Sequence, residues 1–203
     1  MHTLLSAACT IYTGYTARGR FEPSEQGGVL VIQLRDLSLP GGLSAENLTR
    51  VNLDGTIDRY LVRAGDVLFR SRGERNTAVA VDEHFGEPAL AVLPLMILRP
   101  RPGVVTPQYL AWAINQPPAQ RHFDATACGT KMRMVPRGSL EHLELDVPDI
   151  ETQRKIVAID ALSERERTLS FLASEKRKEL TSRILSQRAK SLGPIAVNER
   201  YAK

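Results

Sequence analysis

The feature that most constrains this chain is a charged stretch of more than forty residues without glycine or proline. After Pro148 the next of either residue is Gly193. Asp149 can cap a helix that starts at the next residue, and Glu151 complements the positive end of such a helix. We therefore predict a single helix over residues 149–191, which would be about 60 Å long.

The apolar residues of this helix recur mainly at spacings of three, four and seven, which is typical of a helix that pairs with another helix. The predicted partner-facing residues are Gln153, Ile156, Ile159, Leu162, Leu169, Leu172, Leu180 and Ile184. The heptad is imperfect, because Glu166 and Lys176 fall near seam positions. No other part of the chain offers a comparable helix, so we favour self-association as a coiled coil. The alternative is a helix that lies back on its own domain.

Short apolar runs broken by turn residues predict a strand-rich domain with few helices over residues 1–148. The predicted strands are 29–34, 66–70, 77–81 and 143–147, with a further run, 90–98, that Pro94 interrupts at an edge or a bulge. Thr106 and Pro107 predict the start of one helix, which Gln116 and the two prolines after it end. The predicted fold class is therefore α+β: one mixed, strand-rich domain, the long C-terminal helix, and a flexible tail over residues 192–203.

Positive charge is concentrated in the middle of the chain. The whole chain has 27 Lys+Arg against 23 Asp+Glu, and this net charge of +4 permits a polyanionic partner without requiring one. Residues 59–137 hold 11 basic and 6 acidic residues, and every basic one except Lys131 is Arg, whereas residues 138–203 hold 12 and 11. Guanidinium groups bind phosphates and guanine edges, so the middle of the chain is where a nucleic acid would be contacted.

The common catalytic and metal-binding patterns are absent. Cys9 and Cys128 are far apart, which disfavours a zinc site or a disulfide framework and fits a reducing cytoplasm. GxSxG, HExxH, GxGxxG and GxxxxGK do not occur, and the four histidines are scattered. No apolar run approaches the roughly 18–20 residues of a membrane span, and no secretion signal is expected. We expect a chain that is not an enzyme and has no cofactor or metal of its own.

Three basic turns are candidates for a nucleic-acid contact. The first, after the strand 66–70, contains Arg70, Ser71, Arg72, Arg75 and Asn76; the second contains Thr130, Lys131 and Arg133; and the third contains Arg18 and Arg20. Arg can pair with guanine and Asn with adenine in the major groove. Each turn alone is typical of solvated surface, but three of them on a domain without a catalytic site favour nucleic acid.

The order of these pieces resembles one half of the specificity (S) subunit of type I restriction-modification systems, from about residue 13 to residue 185. The stretches that carry the resemblance are YTGYT at 12–16, GVLVIQLRDL at 28–37, LVRAGDVLFRSRG at 61–73, TPQYLAWAI at 106–114, GTK at 129–131 and LEHLELDVPDIETQRKIV at 140–157. The last run is the most specific, because it joins a short strand to the long helix through Pro148 and Gln153. It departs from the family where a second proline and a Glu beside the Gln are more usual.

The resemblance implies a function for each part of the chain. A full S subunit has two target-recognition domains held apart by two long antiparallel helices, and each domain recognises half of a bipartite site on double-stranded DNA. By this resemblance, residues 1–148 form a target-recognition domain and residues 149–191 form a spacer helix. A separate DNA methyltransferase subunit would dock on the chain and carry S-adenosylmethionine for adenine methylation, and a restriction/translocase subunit is left open.

This chain has one such domain and one such helix, so we expect a homodimer that recognises two identical half-sites in inverted orientation. Pairing with a different half subunit stays open. A second hypothesis is a non-catalytic protein-interaction scaffold of a phage-defence complex that recognises no DNA sequence. A nuclease is a third reading, suggested by Glu175 and Glu179, although salt-bridged pairs are the default on such a helix.

Overall fold

The computed structural model describes residues 2–17, 19–24, 27–38, 43–53, 55–73, 75–129 and 133–191. The strands are β1 (His2–Leu4), β2 (Cys9–Thr13), β3 (Val29–Ile32), β4 (Thr49–Val51), β5 (Leu61–Val62), β6 (Val67–Arg70), β7 (Ala78–Ala80), β8 (Ala89–Ala91), β9 (Leu95–Pro100) and β10 (Glu144–Asp146). The α-helices are α1 (Leu5–Ala8), α2 (Pro107–Asn115), α3 (Pro117–Thr126), α4 (Arg137–Glu141) and α5 (Ile150–Ser191). The predicted α+β class with a long C-terminal helix is confirmed.

Three sheets organise the strands. One is antiparallel with the order β2-β9-β6-β7, the second is mixed with the order β4-β3-β8-β5, and the third pairs β1 with β10. The third sheet joins the two ends of the domain, since His2 lies opposite Asp146. No sequence pattern predicted this pairing or the strands β1 and β2.

The predicted run 90–98 forms two strands in different sheets, with the cis peptide bond Leu93–Pro94 between them. Gly14 lies against the segment that joins these two strands and donates its N–H to the Leu95 carbonyl at 2.9 Å. A Cβ on Gly14 would lie 2.6 Å from the Leu95 oxygen. Only glycine therefore allows the two segments to approach this closely.

The largest core lies between the antiparallel sheet and helices α2, α3 and α4. Phe69 of β6 packs on Phe123 of α3 with ring centroids 5.1 Å apart. The Asn115 side chain, at the end of α2, accepts from the Ala78 N–H and donates to the Ala78 carbonyl, each at 2.8 Å. The predicted cap of α2 is confirmed, since the Thr106 hydroxyl accepts from the Tyr109 N–H.

A partly buried ion pair joins β9 to the turn before β6. The Asp66 carboxylate is almost fully buried and accepts two hydrogen bonds from the Arg99 guanidinium, at 2.8 and 2.9 Å. It also accepts from the Arg63 N–H at 2.9 Å. Arg99 stacks over Tyr12 of β2. These contacts fix the turn from which β6, and the basic loop after it, departs.

Helix α5 begins where the sequence predicts. The Asp149 carboxylate accepts from the Thr152 N–H at 3.0 Å and from the Thr152 hydroxyl at 2.7 Å, which confirms the predicted cap. The first compact unit extends to Val157 and the second begins at Ala158, so the first turns of α5 belong to the first unit. The predicted tail, residues 192–203, lies outside the described residues.

The prediction of a single helix after Thr106 needs a correction. Gln116 ends α2 as predicted, but the prolines after it also start a second helix, α3, that the sequence analysis did not predict. Proline is tolerated in the first turn of a helix because the N–H it lacks would have no helical partner there. Among the residues that the structure describes, no helix combines the length and hydropathy needed to cross a bilayer.

Candidate nucleic-acid interface

The basic loop after β6 is held by its own polar side chains. The Ser71 hydroxyl donates to the Pro94 carbonyl at 2.6 Å. The Asn76 side-chain amide donates to the Arg70 carbonyl at 3.0 Å, and the Asn76 backbone carbonyl accepts from the Gln120 side chain at 2.8 Å. These bonds close the loop on itself and attach it to α3.

Two residues predicted to contact nucleic acid therefore have a different role. Ser71 is 1% exposed and Asn76 is 9% exposed. Each already donates a side-chain hydrogen bond to a backbone carbonyl, Ser71 to Pro94 and Asn76 to Arg70, so we remove both from the candidate interface and assign them to loop structure. Arg72 and Arg75 of the same loop are exposed, as a contact with a ligand requires.

The structure brings the first and second predicted basic turns together. Arg72 forms an isolated bridge with Met134, and the Val135 N–H donates to the Ser71 carbonyl at 2.8 Å. The segment after residue 132 therefore runs beside the β6 loop. Sequence reasoning treated these turns as separate candidates, and their pairing is a tertiary contact.

Arg133 is the described member of the second predicted turn. It is exposed, and its guanidinium lies 3.2 Å from the Asp124 carboxylate while also donating to the Asp124 carbonyl. Thr130 and Lys131, which were predicted to contact nucleic acid, lie outside the described residues. Arg133 would have to leave or share this partner in order to bind a phosphate.

A surface groove gathers arginines from three separate segments. Two adjoining cavities, of about 470 and 650 Å³, share Phe21, Gln33 and Arg35. The smaller is also lined by Arg70 and Leu93, and the larger by Arg20 and Glu22. We call this surface, defined by Arg20, Phe21, Gln33, Arg35, Arg70 and Leu93, the basic groove.

The turn after β3 places Gln33 and Arg35 in the basic groove. The chain leaves the strand into a 3-10 helix, Leu34–Ser38, and the buried Asp36 carboxylate accepts from the Gln33 N–H at 2.7 Å. Sequence reasoning missed both residues because residues 29–34 were taken as one buried strand. The signal was Asp36, whose side chain often closes a turn onto a nearby backbone N–H.

Arg70 is held in place where β6 ends. It pairs with Leu95 in the sheet, and its Nε donates to the Arg72 carbonyl at 3.0 Å. The guanidinium lies over Gly73, where an added Cβ would come within 2.5 Å of Nη2 and where φ is +128°. Glycine at this position therefore leaves the space that the Arg70 side chain occupies.

The arginines of the basic groove and of the β6 loop differ in whether a described carboxylate pairs with them. Of the arginines in the basic groove and the β6 loop, Arg20, Arg70, Arg72 and Arg75 have no ion pair to any residue that the structure describes. Arg35 is 70% exposed and lies 3.7 Å from Asp36, and Glu22 adds one carboxylate to the larger cavity. The surface can thus offer several guanidinium groups to a polyanion. Arg18, the other residue of the third predicted turn, lies outside the described residues.

The residues predicted to face a partner along α5 fall into two groups. Gln153 is fully buried in the first unit and Ile156 packs against the largest core, so both attach the helix to its own domain. The other six are exposed between 53 and 67%: Ile159, Leu162, Leu169, Leu172, Leu180 and Ile184. Only this second group is available to a partner.

The described residues contain no cluster of three or more His, Cys, Asp or Glu side chains that could hold a metal ion. Burial raises the pKa of the Cys9 thiol to about 12, which keeps it protonated and unreactive. Cys128 is exposed.

No protein-family profile matches the chain. No curated protein matches it either.

Solved structures do match. One is a chain from a type I R-M system, described for its complex assembly and conformational transition. It is 19% identical with a TM-score of 0.64, and the match covers 90% of this chain and 43% of the solved one. The type I restriction-modification S subunit from M. genitalium is 15% identical with a TM-score of 0.54, covering 88% and 42%. The HsdS subunit from Thermoanaerobacter tengcongensis is 19% identical with a TM-score of 0.57, covering 83% and 38%.

These matches show that the chain has the fold of a type I specificity subunit. The chain spans about two-fifths of the length of these structures.

Proposed function

We propose that this chain is a DNA-recognition subunit of a type I-like restriction-modification system and is not itself an enzyme. The observation that carries the proposal is the basic groove, in which Arg20, Arg35 and Arg70 converge on a domain with the S-subunit fold. Each guanidinium can bind a phosphate or the O6 and N7 atoms of a guanine.

The groove also has the chemistry for base contacts. A Gln amide such as that of Gln33 can pair with the N6 and N7 atoms of adenine, and apolar side chains can contact the thymine methyl group. Phe21 and Leu93 supply the apolar surface, and Leu93 is 42% exposed. Arg72 and Arg75, on the adjacent loop, extend the basic surface.

On this proposal a separate methyltransferase subunit supplies the chemistry and binds S-adenosylmethionine, and this chain directs it to the target adenine in cytoplasmic DNA. A restriction/translocase subunit would be a further partner. Support comes from the S-subunit fold and from the exposed apolar residues of α5, which offer a surface for partner subunits.

A second copy would complete the subunit. One domain and one helix correspond to about two-fifths of the matched structures, so two copies would supply two domains and two helices. A two-fold dimer would present its two basic grooves to inverted half-sites. A different half subunit in place of the second copy would give a non-palindromic site.

The first test is a titration of fluorescent duplexes of random sequence with the purified chain between 50 and about 300 mM salt. We expect log K to fall linearly with log salt, with a slope of about −0.9 for each phosphate contacted. Arg35→Ala should make this slope less steep, whereas Arg121→Ala, an exposed arginine on α3, serves as the matched control. An absence of binding at low salt, with and without the methyltransferase, would favour the protein-interaction scaffold.

A further inference from the structure

Six apolar residues of α5 repeat at alternating intervals of four and seven. They are Ala158, Leu162, Leu169, Ala173, Leu180 and Ile184. The combined period of eleven residues corresponds to 3.67 residues per turn, so these side chains form a nearly straight stripe with a slight right-handed drift. This spacing explains why a heptad fits the helix poorly. The four large members are 56–67% exposed.

The stripe has two polar interruptions, Glu166 and Lys176. At about 3.6 residues per turn both lie on the same side of the helix as the apolar six. Glu166 makes no ion pair with any described residue, and Lys176 contacts Glu179 within its own helix at 2.9 Å. Lys176 is 80% exposed, and its ammonium has three donors, so it can also bind a second carboxylate.

The stripe is symmetric about residue 171. Residues at equal distances before and after this point are 158 and 184, 162 and 180, and 169 and 173, so every apolar member has an apolar counterpart. Glu166 and Lys176 both lie five residues from 171, so the acidic interruption has a basic counterpart. A two-fold axis at this level would place each residue of one helix opposite its counterpart in the other.

We propose that α5 pairs antiparallel with α5 of a second copy of this chain, in the register symmetric about residue 171. In this arrangement Glu166 of each copy meets Lys176 of the other, which gives two reciprocal ion pairs inside the apolar seam. The apolar contacts continue on both sides of these pairs, from residue 158 to residue 184.

Charge selects this orientation over a parallel one. A parallel pair would place Glu166 beside Glu166 and Lys176 beside Lys176. It would also place residues 175–191, which contain six basic and two acidic residues, beside the same residues of the partner helix. The antiparallel pair instead places them against residues 151–167, which contain four acidic and four basic residues and so carry no net charge. Opposite charges attract across such a seam and like charges repel.

The proposal rests on the self-association in the proposed function but not on DNA recognition. A scaffold could pair in the same way. Loss of DNA binding with intact pairing would overturn only the proposed function, and loss of pairing would overturn this inference.

Charge reversal tests the register. We expect Glu166→Lys and Lys176→Glu each to weaken the dimer of the full chain by about tenfold in sedimentation equilibrium, because both ion pairs become repulsive. The double variant should return to within about threefold of the wild type, because the pairs are restored in reverse. The matched control is Lys178→Glu, the same charge change on the opposite side of the helix, and it should leave the dimer unchanged.

A distance measurement tests the orientation and does not depend on those variants. Spin labels on Ser163→Cys and, separately, Ser186→Cys, each in a Cys128→Ser background, should report separations of about 25 and 45 Å in the antiparallel register. A parallel pair would place both at about 10–20 Å. The inference would be overturned by equal short distances at the two sites. It would also be overturned if the double variant dimerised more weakly than both single variants, or if the chain were monomeric at micromolar concentration.

Discussion

The side-chain oxygen of Gln153 accepts a hydrogen bond from the backbone N–H of Thr106 at 2.8 Å. Its amide nitrogen donates to the Val104 carbonyl at 2.9 Å and to the Pro148 carbonyl at 2.8 Å. One fully buried amide thus satisfies one donor and two acceptors of the backbone. It joins the start of α5 to the start of α2.

Replacement of this amide should destabilise the first unit. Gln153→Ala would leave these three backbone groups without their partner, and we expect the free energy of unfolding to fall by about 3 kcal/mol. Chemical denaturation followed by circular dichroism measures the change. Gln187→Ala, on the exposed part of the same helix, should change it by less than about 0.5 kcal/mol. Equal effects would show that the Gln153 contacts are not needed.

The cap of α5 should make stability depend on pH in the acid range. The Thr152 N–H, hydrogen-bonded to the Asp149 carboxylate, holds the pKa of that carboxyl below its ordinary value of 3.8. The stabilisation is therefore present above the ordinary pKa and is lost as pH falls through the lowered one.

Asp149→Asn isolates this effect, because Asn also caps helices but does not titrate in this range. Thermal unfolding at pH 6 and pH 3 should show a smaller difference between the two pH values for this variant than for the wild type. An unchanged difference would assign the acid sensitivity to other carboxylates, such as Asp82 and Glu87, whose pKa values are also lowered by hydrogen bonds.

Arg35 should contribute to DNA affinity without deciding the sequence if it contacts a phosphate. Arg35→Ala should then weaken binding to all duplexes alike and reduce the magnitude of the salt slope by about one. Gln33→Ala, beside it in the groove, removes no charge and should leave the slope unchanged. A variant of Arg35 with wild-type affinity would remove this residue from the interface.

Substitution of Arg72 should differ in its effect from substitution of Arg35, because Arg72 is exposed on a loop that buried hydrogen bonds hold in place. If it contacts a base, Arg72→Ala should cost about 1–3 kcal/mol on the preferred sequence and much less on random duplexes. Competition titrations with both kinds of duplex measure this difference. A uniform loss on every sequence would instead indicate a phosphate contact.

The sequence predicted those features of the fold that depend on neighbouring residues, such as helix caps. Asp149 and Thr106 cap their helices as expected, because a cap depends only on neighbouring residues. Pairing between distant segments was not predictable in this way. His2 lies opposite Asp146, and no pattern within either segment indicates the other.

The candidate site shows the same difference between local features and tertiary contacts. Arg70 and Arg72 were recognisable from a basic turn after a strand, but Asn76 is buried, and its backbone carbonyl accepts from Gln120, which lies in another element. Gln153 was placed among the partner-facing residues because helical spacing alone does not distinguish an outward face from one packed on the same chain. The basic groove itself is a tertiary feature, since Arg20, Arg35 and Arg70 come from three segments.

Selection from a library of random duplexes measures whether this chain recognises a DNA sequence. The full chain, alone and with the methyltransferase, is incubated with the library at near-physiological salt, and the bound DNA is sequenced over several rounds. We expect enrichment of one bipartite sequence with inverted half-sites, bound about 10³-fold or more tightly than random DNA. A library that stays random through all rounds, with equal affinity for every duplex in both conditions, would contradict it.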